Sequence, residues 1–516
     1  QGAVEVKGKV IDNQNEPMIG VSVLEKGTTN GTITDINGNY NLSVNQGTTL
    51  VFSYIGYITK EQTVRGNTLD LIMDEDMQAL DEVIVIGYGV QRKSSLTGAV
   101  SSVKSEDLEA RTITRPEMAL QGKTSGVQVL SSSARPGANP SVRIRGISSN
   151  SSSDPLYVVD GRISADIGGI DPNDIESMEV LKDGASAAIY GAAAGNGVVL
   201  ITTKRGKGSG KITYSLQHTS QSLGKIPEVM NSQQYKDYFV EAGKITEGVF
   251  DLYWDGVTNT NWTDVAFENS SMMRHNATFQ GGNDNGSLYL SLSHLNNDGM
   301  VVGNYDTYNR LTGMINASWK VKPWLEVVTN NQIEHYKVQS VAEGSEYGSL
   351  LLSVLQLDPL TKPLYPIDNL PQHMASIYEQ HPNMLGDGDG NLYGISAFTG
   401  NAEAINPLAM RDRSFSKNRG YNINGSTYLN FTPIKPLTFT SRLGYRLSSS
   451  SSYGVGHDYY YHGTAKQDYI QVNASDNSPT YWQWENFMNF DQKFGDHNTT
   501  LMLGTSFSEM GYKKCQ

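Results

Sequence analysis

From about residue 210 onward, apolar and polar residues alternate one for one over long stretches. Leu288, Leu290 and Leu292 fall on one side of an extended chain, with Ser287, Tyr289, Ser291 and Ser293 on the other. The alternating runs come in pairs. Tyr308 to Trp319 and Trp324 to Lys337 flank Lys320-Val321-Lys322-Pro323; Tyr421 to Phe431 and Leu437 to Leu447 flank Thr432-Pro433-Ile434-Lys435-Pro436. Trp482 to Lys493 and Thr499 to Ser508 flank a turn holding Gly495-Asp496-His497. Between the pairs lie long stretches rich in Gly, Asn, Ser, Tyr and Pro, residues 338–420 and about 448–481. The pattern predicts hairpins of one asymmetric kind, with short turns at one end and long loops at the other.

The first 207 residues read differently. Residues 1–75 carry six short strand-like runs at regular spacing, divided by turn chemistry such as Asn37-Gly38 and Asn15-Glu16-Pro17, which predicts a seven-stranded β-sandwich. Residues 96–207 predict a mixed α+β unit. Helix starts are expected at Ser105-Glu106-Asp107 and at Arg115-Pro116-Glu117, and strands at Val127 to Leu130, Val142 to Arg145, Leu156 to Val159, Met178 to Leu181 and Val198 to Thr203.

Composition narrows the classes. Among 516 residues, Lys and Arg number 40 and Asp and Glu 53, for a formal net charge of −13, which argues against a nucleic-acid binder. No run of about 18 apolar residues exists and mean hydropathy is −0.40, so a helical membrane span is excluded. A barrel span is not, because alternating strands average their hydropathy toward zero; the hairpin asymmetry is that of bacterial outer-membrane barrels, and aromatics such as Trp319, Trp324, Tyr421 and Trp482 fall near strand ends like an interfacial girdle. One cysteine, Cys515, rules out an internal disulfide. Gln1 opens just before a strand, as a mature exported chain would.

Residues 76–95 form an acidic linker around one apolar run. Asp81 and Glu82 precede Val83, Ile84, Val85 and Ile86, and Gly87, Tyr88 and Gly89 close it. Four β-branched residues in such a setting read as a strand that pairs with another protein's sheet edge, or else as the last strand of the first domain. Arg143 and Arg145 alternate on one strand, and Asp174, Glu176 and Glu179 follow downstream, so structural guanidinium–carboxylate pairs are expected.

Several chemical motifs fail on spacing. Gly122-Lys123-Thr124 matches the end of a phosphate-binding loop, but its first glycine position holds Glu117. Asp387, Asp389 and Asn391 have calcium-loop spacing, but Leu392 stands where Gly is required and Phe398 where Glu is, so a loop is expected there. No HExxH, GxSxG or paired catalytic carboxylates occur, and no enzyme, cofactor or metal site is predicted.

Residues 143–206, RIRGISSNSSSDPLYVVDGRISADIGGIDPNDIESMEVLKDGASAAIYGAAAGNGVVLITTKRG, resemble the plug signature of SusC/RagA-type TonB-dependent outer-membrane transporters. Residues 80–108 resemble that family's TonB box and plug entrance, and "GTITDINGNYNLSV" resembles a carboxypeptidase regulatory-like domain. The resemblance implies a sandwich (1–75), a linker with the TonB box (76–95), a plug (96–207) and the N-terminal part of a barrel of about 22 strands with long extracellular loops (208–516). It implies TonB-driven import of a large nutrient, oligosaccharide more than peptide, across the outer membrane, with the sandwich and box in the periplasm. TonB would take Asp81 to Gly89 as an added strand, and a SusD-like lipoprotein would lid the outer face. Structural plug positions would be Arg143, Arg145, Gly146, Asp160, Gly161, Glu176, Glu179, Lys182, Asp183, Gly184, Tyr190 and Gly191. Tyr459, Tyr460 and Tyr461 offer flat amphipathic faces to a ligand.

About 22 strands need roughly 220 residues before any connection, and residues 208–516 hold eight or nine. The remaining strands are therefore expected from further chain or a second chain. An alternative class is a secreted or surface glycan-binding, adhesive β protein without transport, which would survive loss of residues 81–89.

Overall fold

A computed structural model describes all residues except 1–2, 14–15, 29, 55–56, 75–82, 87–88, 93–99, 110, 132, 148–152, 185–187, 342–348, 399–403, 496 and 516. The chain divides into two units, Gln1–Gly98 and Ala99–Gln516.

The first unit contains a sandwich of seven strands. One sheet orders Asn39–Asn45, Ala3–Ile11 and Leu71–Ile72, and the other Gly31–Ile33, Ser22–Glu25, Thr49–Ser53 and Lys60–Thr63. Strict alternation along Asn39–Asn45 buries Tyr40, Leu42 and Val44, which meet Val6, Val10, Val23, Leu50 and Phe52 in one core. The Asn37-Gly38 reversal forms as expected, the Asp35 carboxylate accepting the backbone N–H groups of Asn37 and Asn39 at 2.8 Å each.

Val83–Ile86 pairs antiparallel with Gly89–Arg92 as an isolated two-stranded sheet, so it joins neither sheet of the sandwich. The reading of Val83 to Ile86 as the last strand of the first domain is not met; the structure pairs it instead with the segment just after it. Asp81, Glu82, Gly87 and Tyr88 lie outside the described residues.

The second unit opens with a five-stranded mixed sheet, ordered Val100–Lys104, Ile175–Leu181, Val198–Thr203, Leu156–Val159, Arg162–Ser164, beside a hairpin of Val127–Leu130 and Ser141–Ile144. Helices begin where expected, at Ser105–Glu109 and Pro116–Leu120. Val198–Thr203 is buried along almost its whole length because it runs through the sheet centre. Gly122-Lys123-Thr124 cradles no phosphate turn: the Lys123 ammonium pairs with Asp107 at 2.7 Å.

Around this plug runs one antiparallel sheet of nine long strands: Lys211–Gln221, Ser270–Asn283, Gly286–Asp298, Thr307–Lys322, Leu325–Val341, Ser414–Ile434, Leu437–Gly456, Thr480–Phe494 and His497–Gly511. Two short strands, Gln471–Asn477 and Lys514–Cys515, extend it. Four hairpins turn within two residues, at 284–285, 323–324, 435–436 and 495–496, all at one end; the other end carries every long connection. Among the described residues the first and last long strands each pair on one side only, so the sheet is open.

Its two faces are inverted relative to a water-soluble sheet. On Gly286–Asp298 the outward Leu292 is 56% exposed while the inward Ser291 and Ser293 are 7% and 2% exposed against the plug. The same parity turns Ile315, Ile333, Leu429, Leu443 and Leu503 outward. A surface in water would not expose a continuous aliphatic band, whereas a lipid-facing wall requires one. No helix among the described residues is long and apolar enough to cross a membrane.

The connections, read from sequence as long polar stretches, are built. Helices Leu350–Gln356, Gln372–Gln380 and Pro407–Asp412 occur in the first of them, Ser232–Glu241 and Trp262–Ala266 in the earlier connection after Gln221, and Met374, Met384, Tyr393, Ile405, Met410 and Tyr461 form a separate apolar core. Trp262 anchors two loops together by donating its indole N–H to the Asp358 carbonyl at 2.7 Å.

Candidate functional site

The functional centre is the seam where plug meets wall. In Asp171-Pro172-Asn173-Asp174 the proline fixes φ for a single 3₁₀ turn, and the Asp171 carboxylate accepts the Asn173 N–H at 2.9 Å. That turn presents two carboxylates to the barrel. Ser293 donates to Asp171 at 2.5 Å and Tyr289 donates its hydroxyl to Asp174 at 2.9 Å. The guanidiniums of Arg274 and Arg310 stand 3.9 and 4.0 Å from Asp171. They also donate to plug carbonyls, Arg274 to Ile113 and Arg310 to Gly168. All six side chains are buried. Taking burial first and the neighbouring Asp171 second, both disfavour charge on Asp174, and its pKa rises to about 7.

A second grip lies at Asp160-Gly161. Asp160, at φ 47°, accepts the Thr203 N–H at 3.1 Å and its hydroxyl at 2.6 Å. Asn316 of the wall donates to the Thr203 hydroxyl at 2.7 Å and to the Lys204 carbonyl at 2.8 Å. Arg442 donates to the Gly161 carbonyl at 2.8 Å, its guanidinium 5.5 and 5.3 Å from the rings of Tyr428 and Phe487. It sits 3.7 Å from Glu485. Glycine is required at position 161, where φ is 81° and a Cβ would stand 2.4 Å from Arg442.

Arg115 ties the plug's own loops, at 2.9 Å from Asp166 and 3.5 Å from Glu117. Burial raises the pKa of Glu117 despite the opposing guanidinium. Beside this pair opens a cavity of about 850 Å³, lined by Arg115, Arg135, Asp166, Tyr308, Glu334 and Tyr336 among others. A recess of about 290 Å³ shares Asp166, Glu334, Tyr336 and Asn422 with it. Further toward the loops, a cavity of about 880 Å³ is lined by Arg413, Tyr459, Gln467, Gln471 and Asn473.

The residues singled out from sequence scatter over this frame. The strand carrying Arg143 ends at Ile144, so Arg145, at φ 57°, leaves it and pairs with Asp183. Arg143 lies opposite Gln128 in the hairpin. Of the downstream acids expected to pair with these arginines, Glu176 binds Lys207 at 2.7 Å and Asp174 binds the wall; Glu179 is buried on the strand Ile175–Leu181, opposite Ser102. Lys182 donates to Ser101 at 2.5 Å. Gly146 and Gly191 take positive φ, Gly184 is exposed, and Tyr190 sits half-buried in the Ala188–Ala194 turn.

The three tyrosines separate. Tyr461 is buried, donating to the Gly394 carbonyl at 3.0 Å and accepting the Asn406 N–H at 2.9 Å, so it holds the loop core and offers no face to a ligand. Tyr460 stacks on His381 with centroids 3.5 Å apart. Tyr459 alone of the three lines the cavity of about 880 Å³. In the Asp387 loop the carboxylate accepts from Asp389 N, Asn391 N and Asn391 Nδ2, a self-contained turn.

Sequence reading missed Asp171, Arg274, Arg310, Arg442 and Glu334. A signal existed for the barrel residues: each sits at the parity opposite to the outward leucines, where a charge implies a buried partner.

An antiparallel wall with an aliphatic outer face, packed around a mixed α+β sheet, is the architecture of a plugged outer-membrane β-barrel. Residues 92–198 match the TonB-dependent Receptor Plug Domain, and residues 6–85 the CarboxypepD_reg-like domain. The chain is 32% identical to TonB-dependent receptor P39 of Formosa agariphila over 99% of its own length and 46% of that protein's. It is 35% identical to TonB-dependent receptor SusC of Bacteroides thetaiotaomicron over 74% of its own length and 38% of that protein's. The fold is similar to that of the RagAB peptide importer in its open-open state, with a TM-score of 0.67 at 24% identity, covering 84% of this chain and 53% of the other. The chain belongs to the TonB-dependent receptors of the SusC/RagA type, and it spans about half the length of the curated relatives it matches.

Proposed function

We propose that this chain forms part of an outer-membrane importer in which the plug closes the pore until a periplasmic partner, TonB, draws on residues 81–89. The observation that carries the reading is the seam: a barrel wall apolar outside and polar inside grips a plug through buried Arg–Asp contacts at Asp171. An adhesive secreted protein has no use for an aliphatic outer wall around a charged plug seat. Within lipid the two open edges of the sheet would leave backbone groups unpaired, so the working barrel takes further strands beyond these nine.

The partner-binding step uses the weakness of the box hairpin. Four pairs hold Val83–Ile86 to Gly89–Arg92, and an isolated two-stranded sheet of that size is marginal in water. A partner's sheet edge adds to it, or replaces its mate, through main-chain hydrogen bonds.

The cargo we propose is an oligosaccharide rather than a peptide. The cavities between plug and loops display carboxylates, guanidiniums, side-chain amides and tyrosine faces, at Asp166, Glu334, Arg115, Asn422 and Tyr459. Such groups hydrogen-bond hydroxyls and stack on sugar rings. A SusD-like lipoprotein lid over the loop end completes the proposal. Deleting residues 81–89 is expected to abolish energised uptake and leave equilibrium ligand binding intact; undiminished uptake by the deletion variant refutes the import reading. A panel of labelled glycans and peptides, scored by binding to the intact protein, decides the cargo.

A further inference from the structure

At the loop end of the wall, the outward face changes character within three successive outward positions of the strand Leu325–Val341. Ile333, 51% exposed, is followed by His335 and then by exposed Lys337. Spaced two residues apart, these positions climb by roughly 6–7 Å each. The neighbouring strand repeats the sequence of chemistry in register. Ile423 lies opposite Ile333, Tyr421 opposite His335, Arg419 opposite Lys337, and Lys417 one step further out opposite Gln339. The aliphatic band therefore ends in a stacked His335–Tyr421 pair, with ring centroids 4.5 Å apart, and a cluster of three cations stands just above it.

Lys337 and Arg419 are direct cross-strand neighbours on one face, a like-charge pairing that destabilises a sheet when nothing sits between the two. Neither they nor Lys417 makes an ion pair among the described residues; Lys417 has only the Phe415 ring, 5.3 Å from its ammonium. The nearest outward carboxylate in the row of Arg419 is Asp476, two strands away across Ser451 and so roughly 10 Å off. At about the screening length of physiological salt, that carboxylate does little to neutralise the cluster.

We propose that Lys337, Arg419 and Lys417 dock the phosphate groups of a phosphorylated lipid in the membrane leaflet facing the long loops. A phosphate between Lys337 and Arg419 would turn the like-charge repulsion into two charge-assisted hydrogen bonds, with the lipid chains lying on Ile333, Ile423 and Leu447 below. The inference rests on the outer-membrane placement proposed above, but its readout is independent of TonB: uptake and lipid retention can fail separately.

The test is native mass spectrometry of the full-length protein in detergent, with bisphosphorylated lipid A as probe and its dephosphorylated form as control. The triple variant K337Q/R419Q/K417Q is expected to lose retention of the bisphosphorylated probe by at least about tenfold. Lys435→Gln, in a two-residue turn at the opposite end of the wall, is expected to retain it fully. Because all three cations are exposed, the variants keep the heat-modifiable gel mobility of a folded barrel. Equal retention by the triple variant, or equal retention of the dephosphorylated lipid by the native protein, overturns the proposal. Displacement by equimolar inorganic phosphate identifies a free-anion site and overturns it as well.

Discussion

Asp174 is the residue whose chemistry is most exposed to experiment. Its folded pKa of about 7 stands above an ordinary value of 3.8, so between those pH values the folded state binds more protons than the unfolded one. Its contribution to stability is therefore fully present below about pH 4 and lost as pH rises through about 7. Asp174→Asn keeps an acceptor for Tyr289 and removes the charge. It is expected to leave thermal unfolding near pH 4 unchanged and to raise the midpoint at pH 8, by roughly 2–4 °C for each kcal/mol regained. Arg310→Met is expected to act oppositely, leaving Asp171 with one guanidinium in place of two at a cost of about 3–5 kcal/mol, measured by denaturant unfolding of the plug signal. None of this was legible from residues in isolation. Asp174 read as a carboxylate for Arg143 or Arg145, and Asp171, Arg274 and Arg310 drew no reading at all; only the register that brings strand to plug joins them. Arg145 and Asp183 show the opposite failure, since the alternation that placed Arg145 on a strand stops one residue early at a left-handed turn.

Among elements, the alternating strands were the most legible because a period of two is written into every residue of them. Each of the three hairpins read from sequence exists, and at their loop ends the strands of the second run seven and nine residues beyond the expected bounds. The inversion of faces gives a direct prediction: Leu292→Arg on the outward face is expected to cost about 2–4 kcal/mol of barrel stability and reduce assembly in lipid vesicles, followed by the gel shift of folded barrel. The loops were the least legible, since their helices are short, their cores are assembled from residues far apart in sequence, and tertiary packing rather than periodicity fixes them. Tyr461 illustrates this. A run of three tyrosines looks like a ligand platform, yet its third member fills a core and satisfies two backbone groups. Tyr461→Phe is expected to destabilise the loop cluster by about 1–3 kcal/mol through the buried groups left unpaired, read as faster amide exchange at Asn406.

For the whole molecule, the sequence suggested a boundary near residue 75 because composition shifts there, and the shortage of strands was readable by counting. The grip of wall on plug was not, because it depends on contacts separated by more than a hundred residues, such as Arg310 with Gly168. Mass spectrometry of the native polypeptide is expected to show a chain near twice this mass or a tightly held companion fragment; a functional lone chain of 56.5 kDa contradicts the counting.

One feature of the plug sheet governs how it would respond to force. Val100–Lys104, the first strand of that sheet after the proposed pulling site, is one of its two edge strands and is bonded on one side only, to Ile175–Leu181. Tension drawn away from the sheet at Val100 would meet the five pairs one after another, like a zipper opened from its end, and would reach the central strands and the Asp171 anchor only through the pair still closed. The pore would then open by unravelling a margin of its stopper, and the work needed would be that of five pairs in turn rather than of the whole seat at once.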